Sequence, residues 1–401
     1  MTNQIKDFFH KPFWSDYRTT MALWLLLGVI SALVKIGKWN NFLIFRGVFW
    51  HTWNGTSLYE AYPEEYFDVN HYGPLFSLII APFAVTPEVI GCVLWNTMLA
   101  LALYMAVRQL PLLKWQHLLV FWFCAHELLT ALFMQQFNIA TAAMIIATFY
   151  CIEKERDMTA AFFIVVGTLV KIYGIVGLAF FFFSRHKTRL IAGLAIWSLV
   201  LFALPMIISS PEYIISPYVE WFTCLTGKNA ENLDSIAQNI SLLGLVRRVG
   251  VLLLGAEAFR NYSDIWLILA GCVTFCLPYL RFKQWKNYQF RLMFLASILM
   301  FVVLFSTGSE SSGYIIPFVG VCLWYACVPW KRNGWDIALM VFAFVLSSLS
   351  PSDLFPAFVR KEIVQPYSLK ALPIVVIWLK LEYEMMTRGY DNPVTPQPPT
   401  L

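Results

Sequence analysis

The sequence predicts an all-α polytopic membrane protein of about 11–13 membrane helices, some of them short and re-entrant, with interfacial helices in large outer loops. Three observations predict this. Residues of the AVILMFWYC set make up 59% of the chain and charged residues only 13%, where a soluble chain carries roughly a quarter charged residues. Apolar runs of near-bilayer length recur from end to end, each needing roughly 20 residues to cross. The long polar stretches between them are dense in Trp, Tyr and Phe, which suits ordered segments at the membrane surface better than disorder.

In chain order, the first apolar run is 19–36, and the polar Met1–Thr20 before it has no features of a cleavable signal. A polar, aromatic-rich stretch follows at 37–73. A short apolar piece, 74–84, stops before Pro87, and spans follow near 88–107, 115–133, 138–152, 189–208, 263–280, 291–306, 313–330, 336–349 and 368–384. Between Thr159 and Phe183 the chain is apolar except for Lys171, yet charged clusters flank it on both sides: Glu153, Lys154, Glu155 and Arg156 before, Arg185, His186 and Lys187 after. Two half-length helices folded as a hairpin around Lys171 keep both clusters on one side of the membrane.

With that hairpin, most of the 29 Lys and Arg residues fall on one side. Lys6, Lys11, Arg18, Arg108, Lys114, Arg281, Lys283, Lys286, Arg291, Lys331 and Arg332 are expected to face the cytoplasm. Both termini then lie inside, and the three long polar segments 37–73, 209–262 and 350–367 lie outside. Residues 1–390 read as one domain and the Pro-rich 391–401 as a disordered cytoplasmic tail. The protein is expected in the cell (inner or plasma) membrane, with its chemistry on the outer face. The net charge of +5 reports loop placement. No basic stripe or RNA-binding motif occurs, so nucleic acid is not an expected partner. The eight cysteines are scattered, without a CxxC pair, and read as small apolar residues.

Lys171 is the sharpest single residue. An ammonium inside an apolar run is costly and marks a pathway, a partner or an anionic ligand; otherwise it snorkels to an interface. At a hairpin tip, with Tyr173 beside it, it suits a phosphate. The first outer loop carries Tyr59, Glu60, Glu64, Glu65 and Asp68, then His71-Tyr72-Gly73-Pro74. One carboxylate there can act as a general base on an acceptor hydroxyl, while most of these acids are merely solvated. Gln136 and Asn138 stand at another outer turn, as helix caps or ligand contacts. Glu310 is a lone acid at the outer end of two spans. Arg247 and Arg248 run against the usual charge bias and suit a phosphate or a phospholipid headgroup. His51, His71 and His126 have no metal-ligand spacing, and no GxGxxG, Walker, GxSxG or HExxH motif is present. The sequons at Asn54, Asn239 and Asn261 are near chance frequency.

The order of these features resembles the polyprenyl-phosphate-dependent glycosyltransferases of family 87, the DUF2029-type members of the C-type membrane superfamily, which includes bacterial alpha-mannosyltransferases. The residues that carry the resemblance are Asn41-Phe42-Leu43-Ile44-Phe45, Gly55-Thr56-Ser57-Leu58-Tyr59, Tyr72-Gly73-Pro74, Gln136-Phe137-Asn138, Glu155-Arg156-Asp157 with Lys171-Ile172-Tyr173, and Glu310-Ser311. They span about residues 20–385, and each piece is short. The resemblance implies the C-type glycosyltransferase fold. It also implies inverting transfer of a hexose, mannose-like, from a polyprenyl-phosphate donor to a glycan or glycolipid acceptor, with membrane lipids around it. No cofactor and no metal are expected. An acid at the start of the first loop acts as base in the family, but this chain has Asn41 there, and an amide takes no proton at neutral pH. Glu310, Glu64 and Asp68 are therefore the candidate bases, in that order. Lys171, Tyr173 and Arg247 are the candidates for holding the donor phosphate, and Asn41, Tyr72, Gln136 and Asn138 for binding substrate. A transporter or flippase of lipid-linked saccharides also explains a bundle with a buried Lys, although no inverted repeat is evident. A membrane acyltransferase would need a His-centred site, and the histidines here are scattered.

Overall fold

A computed structural model describes residues 11–259 and 262–391. Helix makes up 76% of it, and no strand occurs among the described residues. The helices are α1 (Tyr17–Val34), α2 (Asn40–Asn54), α3 (Phe76–Ala84), α4 (Glu88–Gln109), α5 (Lys114–Phe123), α6 (Ala125–Phe133), α7 (Asn138–Glu153) and α8 (Asp157–Lys171). They continue with α9 (Lys187–Ala203), α10 (Pro211–Asp234), α11 (Leu242–Leu254), α12 (Ile265–Cys276), α13 (Tyr288–Leu304), α14 (Ile315–Ala326), α15 (Gly334–Phe342) and α16 (Leu372–Thr387).

By length and apolar composition, four helical stretches suffice to cross a membrane, or five when α5 and α6, bent by 43° at Cys124, form one span. Five shorter apolar stretches join them, among them α7, α13 and the run Ser311–Ala326. The chain is thus an all-α polytopic membrane protein. Apolar pattern sorts the helices by depth. Every residue of α14 is buried, as are most of α13, so this pair, apolar all round, forms the centre of the bundle. The outward residues of α9 are just as apolar but bare, with Leu199 75% and Ile191 54% exposed, which fits a lipid-facing helix.

The Thr159–Phe183 run lies within Asp157–Phe183, a stretch long and apolar enough for a single crossing, but the chain reverses inside it. α8 ends at Lys171, whose backbone leaves the helical region at φ −147°, ψ 84°, and a 3₁₀ leg runs back over Ile172–Phe183. The two legs have matching lengths, about 22 and 24 Å at ~1.5 and ~2.0 Å per residue. Their far ends meet. Ser184 Oγ donates to Asp157 Oδ1 at 2.5 Å, and Arg185 and His186 reach Glu155 at 2.7 and 3.1 Å. Two glycines let the legs touch. A Cβ on Gly174 would lie 2.3 Å from the Gly167 carbonyl carbon, closer than any side chain permits. The hairpin expected from the flanking charges is the observed geometry, with Lys171 at its tip.

The long polar segments fold over the end of the bundle where that tip lies. α10 clasps the first loop: Tyr213 donates to the Thr56 carbonyl at 2.5 Å, Ser57 to Glu220 at 2.9 Å, and the Trp221 indole to the His71 carbonyl at 2.9 Å. The first residue of the expected tail, Asp391, accepts from Gln284 and Asn287 at 2.8 and 3.2 Å; the rest of that tail lies outside the described residues.

Candidate functional site

Below this cap lies a cavity of about 1170 Å³. Its walls come from elements far apart in sequence, each placed by a local cause. Tyr72 follows the first loop, and Gly73 N–H donates to the Val170 carbonyl at 2.9 Å. A Cβ on Gly73 would lie 2.0 Å from Leu169 O, so only glycine lets the loop dock on the hairpin tip. There the Lys171 ammonium donates to Asn138 Oδ1 at 2.8 Å, 5.5 Å from the Tyr72 ring and 5.3 Å from the Tyr173 ring. Tyr173 shares a hydrogen bond with Ser306 at 2.7 Å. Tyr72 donates to Gln136 Oε1 at 2.9 Å, and the Trp95 indole fixes that turn by donating to Gln135 O at 2.9 Å.

Glu310 lies on the stretch 305–310 between α13 and the turn Ser311–Tyr314; stretch and turn pack against Tyr173 and Asn138. Asn239 and Ile240 N–H donate to Thr307 and Ser309 carbonyls at 2.9 and 2.7 Å and pin that stretch from the side. Behind it sits a buried ion pair. Lys370 Nζ contacts both Glu127 oxygens at 3.1 and 3.2 Å and donates to Ser311 O and Oγ at 3.1 and 3.0 Å. Glu310 lies within electrostatic reach of Lys171, Asp68 and Lys228. Burial pushes its carboxyl above the ordinary range, and the Lys171 charge works against that.

Of the residues singled out in the sequence, Glu310, Asp68, Lys171, Tyr173, Asn41, Tyr72 and Gln136 all line this one cavity. Asn138 stands behind Lys171 as its acceptor. Glu64 is exposed and off the wall. Arg247 is also off it: its guanidinium pairs with Asp264 at 3.1 Å on the α11 side. Asp68 takes a left-handed φ of 75°, which a short polar side chain tolerates, and its Oδ1 lies 4.0 Å from His71 Nε2. Burial, with Lys228 and Lys171 nearby, holds His71 below its ordinary value. Asn41 donates to the Met134 carbonyl at 2.8 Å, so this position is built for a donor. The arrangement sets a fixed cation and a half-buried carboxylate on the walls of one cavity, within electrostatic reach of each other, which suits a reaction that takes up a proton at one while negative charge develops near the other.

A family model for glycosyltransferase family 87 matches residues 70–307. The chain belongs to glycosyltransferase family 87. No match was found among curated proteins. As a family 87 member it is a membrane glycosyltransferase, which uses a sugar donor and an acceptor. The matched stretch contains Tyr72, Gln136 and Lys171; Asn41 and Glu310 lie outside it, and the fold brings both to the same walls.

Sequence reasoning missed several residues of this site. Lys35, Lys228 and Arg360 line the cavity, so its walls carry four Lys and Arg against three acids, Asp68, Glu310 and Asp353. Glu127 and Lys370 were readable as one acid and one base, each inside or beside an apolar run; an opposite-charge pair in membrane segments is a signal in itself. No group of three or more His, Cys, Asp or Glu side chains placed to hold a metal occurs among the described residues.

Proposed function

We propose that this family 87 enzyme transfers a hexose, mannose-like, from a polyprenyl-phosphate donor to a hydroxyl of a glycan or glycolipid, with inversion at the anomeric carbon. The observation that carries the reading is the convergence of Lys171 and Glu310 on one cavity beneath an aromatic-rich cap. The donor phosphate sits at Lys171 and Tyr173, with Lys228 as a second cation. Glu310 takes the proton of the acceptor hydroxyl as its oxygen bonds to the anomeric carbon. The bond from that carbon to the phosphate oxygen breaks, and the electron pair leaves with polyprenyl phosphate, which gains one negative charge. Lys171 meets that charge as it develops and so stabilises the transition state more than the ground state. This step needs no metal, because the ammonium supplies the positive field. Asp68, at the cavity wall, is the second candidate base, and Asn41, Tyr72 and Gln136 bind the sugar. The reading places the cavity on the non-cytoplasmic face of the cell membrane, both termini inside.

Purified protein given a polyprenyl-phosphate hexose labelled in the sugar and a short glycan acceptor is expected to release a glycoside of opposite anomeric configuration. Proton coupling at the anomeric carbon reads that configuration. Movement of intact donor across a vesicle without a new glycosidic bond would favour the flippase reading instead.

A further inference from the structure

α10 presents one face to the cavity. Trp221, Leu225, Lys228, Asn229 and Asn232 line it, at steps of three or four residues with one adjacent pair, which is a single stripe along a helix. The stripe is tied at two points. The Trp221 indole donates to the His71 carbonyl in the first loop, and Asn229 Oδ1 accepts from Thr307 Oγ1 on the stretch that carries Glu310. One turn beyond Asn229, Asn232 is 5% exposed, and its Oδ1 is buried without a hydrogen-bond partner. A buried acceptor left unpaired is costly and uncommon in folded proteins. The polar groups beside it are already committed. Tyr173 Oη shares a hydrogen bond with Ser306 Oγ at 2.7 Å, and Ser306 Oγ accepts from Gly308 N–H at 3.2 Å. Gly308 lies among these groups. A Cβ built on it would meet Tyr173 Oη at 3.3 Å and both Asn232 Nδ2 and Ser306 Oγ at 3.7 Å. Its backbone is not in the left-handed region, so the chain conformation does not demand a glycine there. What the glycine does is keep open a small polar nook in the cavity wall, where the side-chain oxygen of Asn232 is uncommitted.

We propose that Asn232 binds the donor hexose in this nook, and that its partner is the ring hydroxyl next to the anomeric carbon. This rests on the donor class proposed above and adds how the sugar is read. The orphaned atom sets the kind of partner. A buried amide oxygen needs an N–H or O–H donor, and an ionised phosphate offers neither. A sugar hydroxyl both donates and accepts, so it serves the amide whichever way its oxygen and nitrogen are turned. Position selects the hydroxyl. Asn232 and Tyr173, the latter placed above at the donor phosphate, both lie within 3.7 Å of the one point that a Gly308 Cβ would occupy. The hydroxyl nearest a phosphate on the anomeric carbon is the one on the next ring carbon. A hexose that lacks this hydroxyl, or carries it on the other face of the ring, leaves the buried amide unpaired and is rejected for that reason. Asn232 is thus a specificity-determining residue, and it separates sugars that differ at that carbon.

Steady-state transfer by the full-length protein in detergent, from a polyprenyl-phosphate hexose and from the same donor lacking one ring hydroxyl at a time, tests this. Asn232→Ala is expected to lower kcat/KM for the complete donor about tenfold or more. For the donor lacking the hydroxyl next to the anomeric carbon, it leaves kcat/KM within about twofold of wild type. Comparing two enzymes on one donor cancels the intrinsic reactivity of the deoxy sugar. Because Asn232 Oδ1 has no hydrogen bond to lose, the unfolding midpoint of the free variant is expected to match or exceed that of wild type. Gly308→Ala fills the nook with a methyl group and reads the same place with Asn232 intact; it is expected to slow the complete donor more than the deoxy one. Losses of equal size with every donor make Asn232 structural and overturn the inference. A loss coupled to a different hydroxyl, or to a hydroxyl of the acceptor, overturns it as well. A wild type that transfers from no polyprenyl-phosphate hexose overturns the donor class instead, before any variant is compared.

Discussion

Glu310, the proposed base, is held in place by neighbours outside the proposed reaction, and its environment sets when such a base can act. Burial raises its carboxyl above the ordinary carboxylate range. A base must be ionised to accept a proton, so activity is present above the folded-state value and lost as pH falls through it. The ascending limb of kcat/KM against pH is thus expected above the ordinary carboxylate range. Glu310→Gln removes the limb and lowers kcat by about 10²–10⁴-fold; a limb that survives the substitution points to Asp68. Asn41 yields an opposite expectation. Its amide donates to the Met134 carbonyl at 2.8 Å, and an aspartate there would set a carboxylate against that oxygen. Asn41→Asp is therefore expected to give transfer no faster than wild type, measured at saturating donor. A rate gain would mean that the family's usual base position can be restored and that Glu310 is not the base.

The hairpin and the Lys370–Glu127 ion pair act as elements. The chain's charges made the hairpin legible: clusters on both flanks of one apolar run leave few ways to fold it. The boundaries of the other apolar runs were legible for the same reason, since the expected 88–107 and 138–152 meet the observed Glu88–Gln109 and Asn138–Glu153. The Lys370–Glu127 pair escaped notice because its partners lie far apart in sequence, and nothing in either run marks them as facing one another. Lys35, Lys228 and Arg360 escaped for a different reason: each reads as an ordinary loop or helix-end charge until the fold turns it inward. Lys370 is 2% exposed and Glu127 0%. Lys370→Met alone leaves a buried carboxylate without its cation and is expected to cost about 3–5 kcal/mol. Lys370→Met with Glu127→Leu removes both charges and recovers most of it. Thermal unfolding in detergent checks this; a single variant as stable as wild type contradicts it. At the tip, Gly174→Val forces the legs apart and is expected to lower the midpoint and the transfer rate together.

At the scale of the molecule, the fold gathers residues from the first loop, α6, α8, α10 and 305–310 around one cavity. The opposite end of the bundle is stapled by separate ion pairs. Arg332 meets Glu384 at 3.1 Å, and Arg291 meets Glu153 at 2.6 Å. A cysteine placed at Glu155 and one at Arg185 are expected to react with a membrane-impermeant maleimide from the same side, because the hairpin returns the chain to its start. Labelling from opposite sides would mean a full crossing and would undo the orientation proposed for the cavity. The expected orientation puts both on the cytoplasmic side and a cysteine at Asp68 outside.

Lys171 and Glu310 are proposed to act together on one sugar donor in this cavity. Single-turnover transfer from a labelled polyprenyl-phosphate hexose by purified wild type, Lys171→Met and Glu310→Gln tests it most directly, with folding checked by unfolding midpoint. Transfer is expected from the wild type, with rates at least ~10²-fold lower for both well-folded variants, the loss general-base or oxyanion-type groups typically show. Wild-type transfer that persists at full rate in Lys171→Met would contradict it.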